Sequence, residues 1–406
     1  MTVPPAAPPA GPLAGLRILD VSTVVAGPWA ATLLADLGAD VLKVELPGRG
    51  DSLRALAPHK DGVPLWWKVT NRNKRGISLD LRTAEGRELL GRLLPGYDVL
   101  VENYRPGTLD RWGITREWMH TIRPELTILR LTGFGQTGPY RNRPGFARVF
   151  EAMTGFTSIC GDPDGPPMHM GFPVADAVAG LFGALGIVAA VYRQKTGGEA
   201  RGQEIDCSLM ESMLRVLDFL PIEYDQLGVV RQRSGNQSQY AAPGNVYRTA
   251  DGRWASIAAS TQSIWERLCT ALGRQDLLAD ARFRTNAQRV EHRSELDAIV
   301  AAELGQRTLA ELDALLAAHE VGFSPIHDIA DVFADPQIAA REAIVSVADG
   351  ELGTVRMQNV VPRLSETPGV VRSAGPALGQ HNAEVYGGEL GLSVAEQARL
   401  RAADVI

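Results

Sequence analysis

The 406 residues read as an α/β protein. Three observations carry that assignment: strand–turn–helix–strand patterns recur through the first half, their spacing suits parallel crossovers, and helical and strand-like stretches follow later in separate blocks. A chain of this length also exceeds one ordinary core, which predicts two domains or one large domain with an insertion.

Taken in order, LRILDVS is an apolar run rich in β-branched residues, and AGP breaks it. WAATLLADLG has helical spacing with a stop at Gly38, and ADVLKVE is a second strand. GISLDL, TAEGRELLGRLLPG and DVLVENY repeat the unit, and LTILRLTGFG adds a strand after a short helix near Glu117–Ile122. Such units build doubly wound sheets whose strand ends deliver loops to one edge. The run from Ala177 to Tyr192 reads as a helix buried in protein, short for a bilayer span. QEIDCSLMESMLRVL is a strand entering a helix. Residues 228–244 turn polar and Gly/Ser/Gln-rich, a linker or mobile loop. VYRTADGRWASIAAS predicts a hairpin turning at its DG dipeptide, and the next stretch, to about Glu320, is mostly helical. Strand-like runs return from about Val345, before a short helix around Ser393–Ala402.

Composition narrows the function. A net charge of −6 argues against a nucleic-acid or anionic-membrane surface. Three scattered cysteines form neither a metal-type pair nor a disulfide framework, so a reducing cytoplasm and no metal site are expected. The opening MTVPPAAPPAGP has no signal-peptide pattern and reads as a disordered tail over 1–12. Glu45 stands where dinucleotide-binding folds keep a ribose-binding acid, yet the first turn, VVAGPWA, lacks the glycine fingerprint and puts Pro28 and Trp29 where small residues are needed. No Walker A pattern exists.

Asp176 is the chemically informative residue. It carries a lone charge at the head of the apolar helix, where it reads as an N-cap or as an anionic nucleophile in a dry site. The positive helix end suits both roles, since it favours an ionised carboxylate.

Taken together, GLRILDVSTVVAGPWAATLLADLGADVLKVELPGRGD, NRNKRGISLDL, DVLVENYRPGTLDRWG, GFGQTGPY, the Asp176 segment, APGNVYRTADG and GPALGQHNAEVYGGELGLS closely resemble the family III CoA-transferases, the CaiB/BaiF group typified by formyl-CoA transferase. The resemblance implies an interlocked homodimer. Each chain would have a Rossmann-like large domain over 13–225 and 335–406 and a small inserted α+β domain over 226–334. It makes Asp176 the catalytic residue. It also carries over CoA contacts at Val25, Ala26, Leu79, Asp80, Leu81, Arg82, Asn103, Tyr104, Arg105 and Arg111, with arginine suited to phosphate oxygens. A CoA thioester would be a substrate, with no permanently bound cofactor. Departures from the formyl-CoA enzymes argue against oxalate and formyl-CoA: Leu46 replaces an arginine, Val25 a glutamine, and the polar segment 235–244, a candidate lid, replaces a glycine-rich loop.

The implied mechanism passes through an aspartyl anhydride and an aspartyl-CoA thioester. Arg141, Arg143 and Arg148 point to a dicarboxylic acid or analogue, with succinyl-CoA as donor; Arg148, standing where the racemases keep their acid, is the candidate clamp for a distal carboxylate, and His169 is a second candidate substrate contact. One rival is an α-methylacyl-CoA racemase, but its His–Asp base segment is replaced here by Phe146, Ala147 and Arg148. The other is a non-catalytic CoA-binding module, against which the intact aspartate position argues.

Overall fold

The computed structural model describes residues 11–197 and 201–406. Most of the predicted tail therefore lies outside the described residues. The chain divides into two compact units. One comprises the chain up to Phe156 with Met170–Pro221 and Gln337–Ile406, and the other comprises Thr157–His169 and Ile222–Pro336. The segment Thr157–His169, which the sequence reading put in the large domain, thus goes with the smaller unit.

The first unit is built on β1 (Arg17–Asp20), α1 (Ala26–Asp36), β2 (Asp40–Glu45), β3 (Lys74–Ser78), α2 (Ala84–Leu93), β4 (Val99–Glu102), β5 (Thr127–Thr132), α3 (Ala147–Met153), α4 (Val174–Thr196), β6 (Glu204–Ser208) and α5 (Leu209–Val216). Six strands form one parallel sheet in the order β3-β2-β1-β4-β5-β6. The order reverses between β1 and β4, and such a reversal opens a crevice at the carboxyl ends of the strands, where ligands bind in open α/β sheets. The protein is thus a mixed α/β fold with a central parallel sheet.

Both faces of the sheet are covered, so its strands are apolar on both sides. Leu19, Leu42, Leu100 and Ile128 pack into the layer containing Leu89 and Leu93 of α2. Ile18, Val41, Val99 and Leu129 pack into the layer containing Leu34 of α1 and Ile187 of α4. Gly38 ends the first helical segment with φ +102°, a conformation that side chains rarely adopt.

The α4 helix is longer than the apolar run that predicted it. Its 23 residues are by length and composition enough to cross a membrane. One face packs on α1, which Gly180 permits: a Cβ there would come within 3.1 Å of the Ala26 carbonyl oxygen. The opposite face leaves Leu181, Leu185, Val188 and Tyr192 exposed. Within this chain, then, the helix is buried on one side only.

The C-terminal segment completes the unit. A hairpin pairs Ile344–Asp349 with Gly353–Gln358. The Trp67 indole donates to the Pro376 carbonyl at 2.8 Å, and the Tyr386 hydroxyl to the Ser78 carbonyl at 2.6 Å. The last helix, Val394–Ala402, opens with a capping box between Ser393 and Glu396.

In the second unit the predicted hairpin pairs Gly244–Arg248 with Trp254–Ala258, and Phe323–Pro325 adds a third antiparallel strand. Helices Gln262–Ala271, Arg293–Leu304 and Leu309–Ala318 close its core through Trp265, Leu268, Leu296, Val300, Leu312 and Leu316. Residues 228–243 carry no helix or strand.

Candidate active site

The loop after β1, the loop after β4 and the first turn of α4 converge at the crevice. They line a cavity of about 230 Å³ that includes Asp176, Thr23, Val25, Asn103, Arg105 and Phe146. Arg141 and Arg143 also line it, and Arg143 stacks over the Tyr140 ring at 3.7 Å from its centroid.

Asp176 is not the helix cap. Pro173 occupies that position, and Asp176 is the third residue of α4, in its first turn. There the exposed N–H groups of the turn favour an anion. Burial acts against them, and the carboxylate of Glu151 adds like-charge repulsion, so the Asp176 pKa is pushed up to about 7. Glu151 is fully buried on α3, and its Oε1 accepts a 3.4 Å hydrogen bond from the Ala175 N–H. A carboxylate held in this way is a stronger base and nucleophile than an ordinary aspartate, and it ionises near neutral pH.

A second cavity of about 380 Å³ lies at the ends of β2 and β3, lined by Leu46, Asp51, Leu79, Leu81, Arg82 and Trp112 among others. Thr23 and Tyr104 line both cavities. Asp80 and Arg82, also in this second lining, form a bidentate pair at 2.7 and 2.8 Å, which holds the Asp80 carboxyl below the usual carboxylate range. Glu45 receives two hydrogen bonds from Arg54, at 2.7 and 2.8 Å, and one from the Asp51 N–H. The acid that a dinucleotide enzyme would offer to ribose is therefore engaged inside the protein.

The structure brings most of the predicted residues together. Val25, Ala26, Asn103, Tyr104 and Arg105 surround the Asp176 cavity, and Leu79, Asp80, Leu81 and Arg82 border the other. Three residues fall elsewhere. Arg111 is exposed, lines neither cavity, and donates to the Thr108 hydroxyl at 2.9 Å. Arg148 is exposed on the first turn of α3 and does not line the Asp176 cavity. His169 belongs to the second unit, where its Nδ1 lies 3.4 Å from the Thr157 hydroxyl. Sequence reasoning missed Thr23, Asp51, Trp112 and Glu151. The signal for Glu151 was present, because Ala147, Phe150 and Glu151 share one face of a helix.

CoA-transferase family III matches residues 13–382. Succinyl-CoA–D-citramalate CoA-transferase of Chloroflexus aurantiacus is 43% identical, over 98% of this chain and 99% of the relative. The beta subunit of succinyl-CoA–L-malate CoA-transferase from the same organism is 42% identical, over 97% and 98%. A CaiB/BaiF family protein from Brucella suis superposes with a TM-score of 0.82 at 35% identity, covering 93% of this chain and 99% of that one. The chain belongs to CoA-transferase family III, and it is a CoA-transferase.

Proposed function

We propose that this enzyme moves CoA from succinyl-CoA to a short dicarboxylic acid, using Asp176 as the covalent relay. The carrying observation is the junction of the two cavities: a carboxylate that ionises near neutral pH stands in one, within a lining that also holds Arg105, Arg141 and Arg143, and the other adjoins at Thr23 and Tyr104. The CoA nucleotide occupies the larger cavity, with Arg82 toward its phosphates, and the acyl group reaches Asp176. The dicarboxylate preference draws on relatives named for succinyl-CoA, D-citramalate and L-malate. Guanidinium groups pair bidentately with carboxylates, so Arg141 and Arg143 take over the distal-carboxylate role that the sequence reading gave to Arg148.

An Asp176 oxygen attacks the thioester carbonyl, the C–S bond breaks, and a mixed anhydride forms as CoA thiolate leaves. The thiolate attacks the Asp176 carbonyl and expels succinate, leaving an aspartyl-CoA thioester. The acceptor carboxylate then attacks that carbonyl and releases the thiolate, giving a second anhydride. Attack of the thiolate on the acceptor's acyl carbon forms the new acyl-CoA and restores Asp176. No step consumes water, and Leu131, Phe146, Phe150 and Leu209 supply an apolar lining around the reacting atoms.

A racemase is disfavoured because, among the described residues, no histidine lines the Asp176 cavity. The enzyme works as a homodimer in the cytoplasm. Support for the dimer is the exposed stripe Leu181, Leu185, Val188 and Tyr192 on α4, a face too apolar to be left to solvent. The thiols of Cys207 and Cys269 suit a reducing compartment. Incubation with succinyl-CoA followed by hydroxylamine should place a hydroxamate on Asp176, found by peptide mass spectrometry. Label on a different carboxylate would overturn the relay assignment, and absence of labelled-succinate exchange into succinyl-CoA would favour a non-catalytic CoA-binding module.

A further inference from the structure

The turn joining β1 to α1 contains a residue in an unusual conformation. Val24 has φ +66°, a region that a β-branched residue enters only when its surroundings impose it. The imposing groups are visible. The Val24 N–H donates to both oxygens of the Asp51 carboxylate, at 2.9 and 3.2 Å. Next to it, the Thr23 N–H donates to Asn103 Oδ1 at 2.7 Å, and Asn103 Nδ2 donates back to the Thr23 carbonyl at 2.7 Å.

Asp51 is itself fixed. It is buried, its N–H donates to Glu45 at 2.9 Å, and its carboxylate lies 3.3 Å from the fully buried ammonium of Lys43. Lys43 also donates to the Ser22 carbonyl and lies 3.7 Å from Asp20. Asp20 in turn pairs with buried Lys74 at 2.8 Å. Four buried charges thus support one strained turn. They attach to the ends of β1 and β2 and the start of β3, so the turn is referenced to the sheet itself.

The location gives the arrangement a role. Asp51 lines the larger cavity, whereas Val24, Val25 and Ala26 line the cavity of Asp176, and Thr23 lines both. We infer that Asp51 is a positioning residue for CoA transfer. Its carboxylate holds Val24 in the left-handed conformation, so that the backbone of Thr23–Ala26 meets the acyl-CoA in the geometry Asp176 needs. The inference rests on the relay reading of Asp176 and adds to it a device at the other side of the same cavity. The carboxylate acts through the backbone, so its removal affects the chemical step more than affinity, and a glycine at position 24, free to adopt positive φ, removes the need for the constraint.

The test is a double-mutant cycle on the full-length enzyme with succinyl-CoA, reading kcat, KM and thermal melting. Asp51→Asn should lower kcat at least tenfold while changing KM for succinyl-CoA less than threefold. Val24→Gly added to Asp51→Asn should recover kcat at least fivefold, although Val24→Gly in the wild-type background does not raise kcat. No recovery in the double variant, or equal losses in kcat and affinity, would overturn the inference. Should Asp51→Asn alone fail to fold, the Asp51→Asn/Val24→Gly double variant decides: the inference requires it to fold with kcat within threefold of Val24→Gly, and a folded double variant whose kcat stays tenfold down defeats it. Asp176→Ala, assayed in parallel, separates the two ideas. Persisting transfer there would remove the underlying relay reading, whereas a dead Asp176→Ala beside a wild-type-like Asp51→Asn would remove only the positioning role.

Discussion

Asp176 stands beside the buried carboxylate of Glu151: burial first, and repulsion from Glu151 second, push the Asp176 pKa up to about 7. The relay needs the ionised form, so transfer should increase with pH through that value. One unit below the pKa only about a tenth of the carboxyl is ionised, so kcat/KM at pH 6 should be about a tenth of its plateau. Replacing Glu151 with Gln removes the repulsion and should move the acid limb to lower pH, measurable in a full pH–rate profile. An unshifted limb would show that Glu151 does not set the charge state of Asp176.

Asp176→Ala and Asp176→Asn should both abolish transfer, because neither supplies an anionic oxygen. The stability effect has a definite sign. The folded-state pKa lies above the ordinary 3.8, so the folded protein binds the extra proton. The stability contributed by this proton is therefore fully present below about pH 4 and is lost as pH rises through about 7. Asp176→Asn carries no such penalty, and its melting temperature relative to wild type should be higher at pH 8 than at pH 4. A constant difference across that range would contradict the raised pKa.

Arg143→Met should weaken use of dicarboxylic acceptors by about 1.5–3 kcal/mol, the usual contribution of a hydrogen bond to a charged group. Monocarboxylic acceptors of similar length should change far less. Arg148→Met should leave the ratio of the two acceptor classes near wild type, since Arg148 does not line the Asp176 cavity. Acceptor-dependent kcat/KM measured for both variants distinguishes the assignments, and the reverse pattern would restore Arg148 as the clamp.

Leu185 is 62% exposed in the middle of the apolar face of α4. Leu185→Glu places a charge in the proposed dimer interface and should convert the dimer to monomer in size-exclusion chromatography with light scattering. An unchanged molar mass would locate the dimer contact elsewhere.

Much of the fold could be read from the chain because its signals are local. Gly38 marks the end of the first helical segment, and the DG dipeptide marked the hairpin between Gly244–Arg248 and Trp254–Ala258. Asn103 and Tyr104, directly after β4, line the Asp176 cavity, but the family resemblance rather than any local pattern singled them out. Arg148 was chosen because it stands where the racemases keep their acid, but position in a sequence does not say which face of a helix a residue takes. In the folded chain α3 begins at Ala147 and turns Ala147, Phe150 and Glu151 inward, leaving Arg148 outside.

The sequence by itself determined the parallel α/β plan, the family resemblance and the aspartate at the head of the long apolar helix, since each depends on residues close together in the chain. Only the tertiary structure decided which charges act on that aspartate and on the turn opposite it. Glu151 lies 25 positions before Asp176, and Asp51 lies 27 after Val24. Their effects arise from proximity in a water-poor interior, where a nearby charge shifts a pKa and a buried carboxylate dictates a backbone conformation, and the sheet is what brings them together.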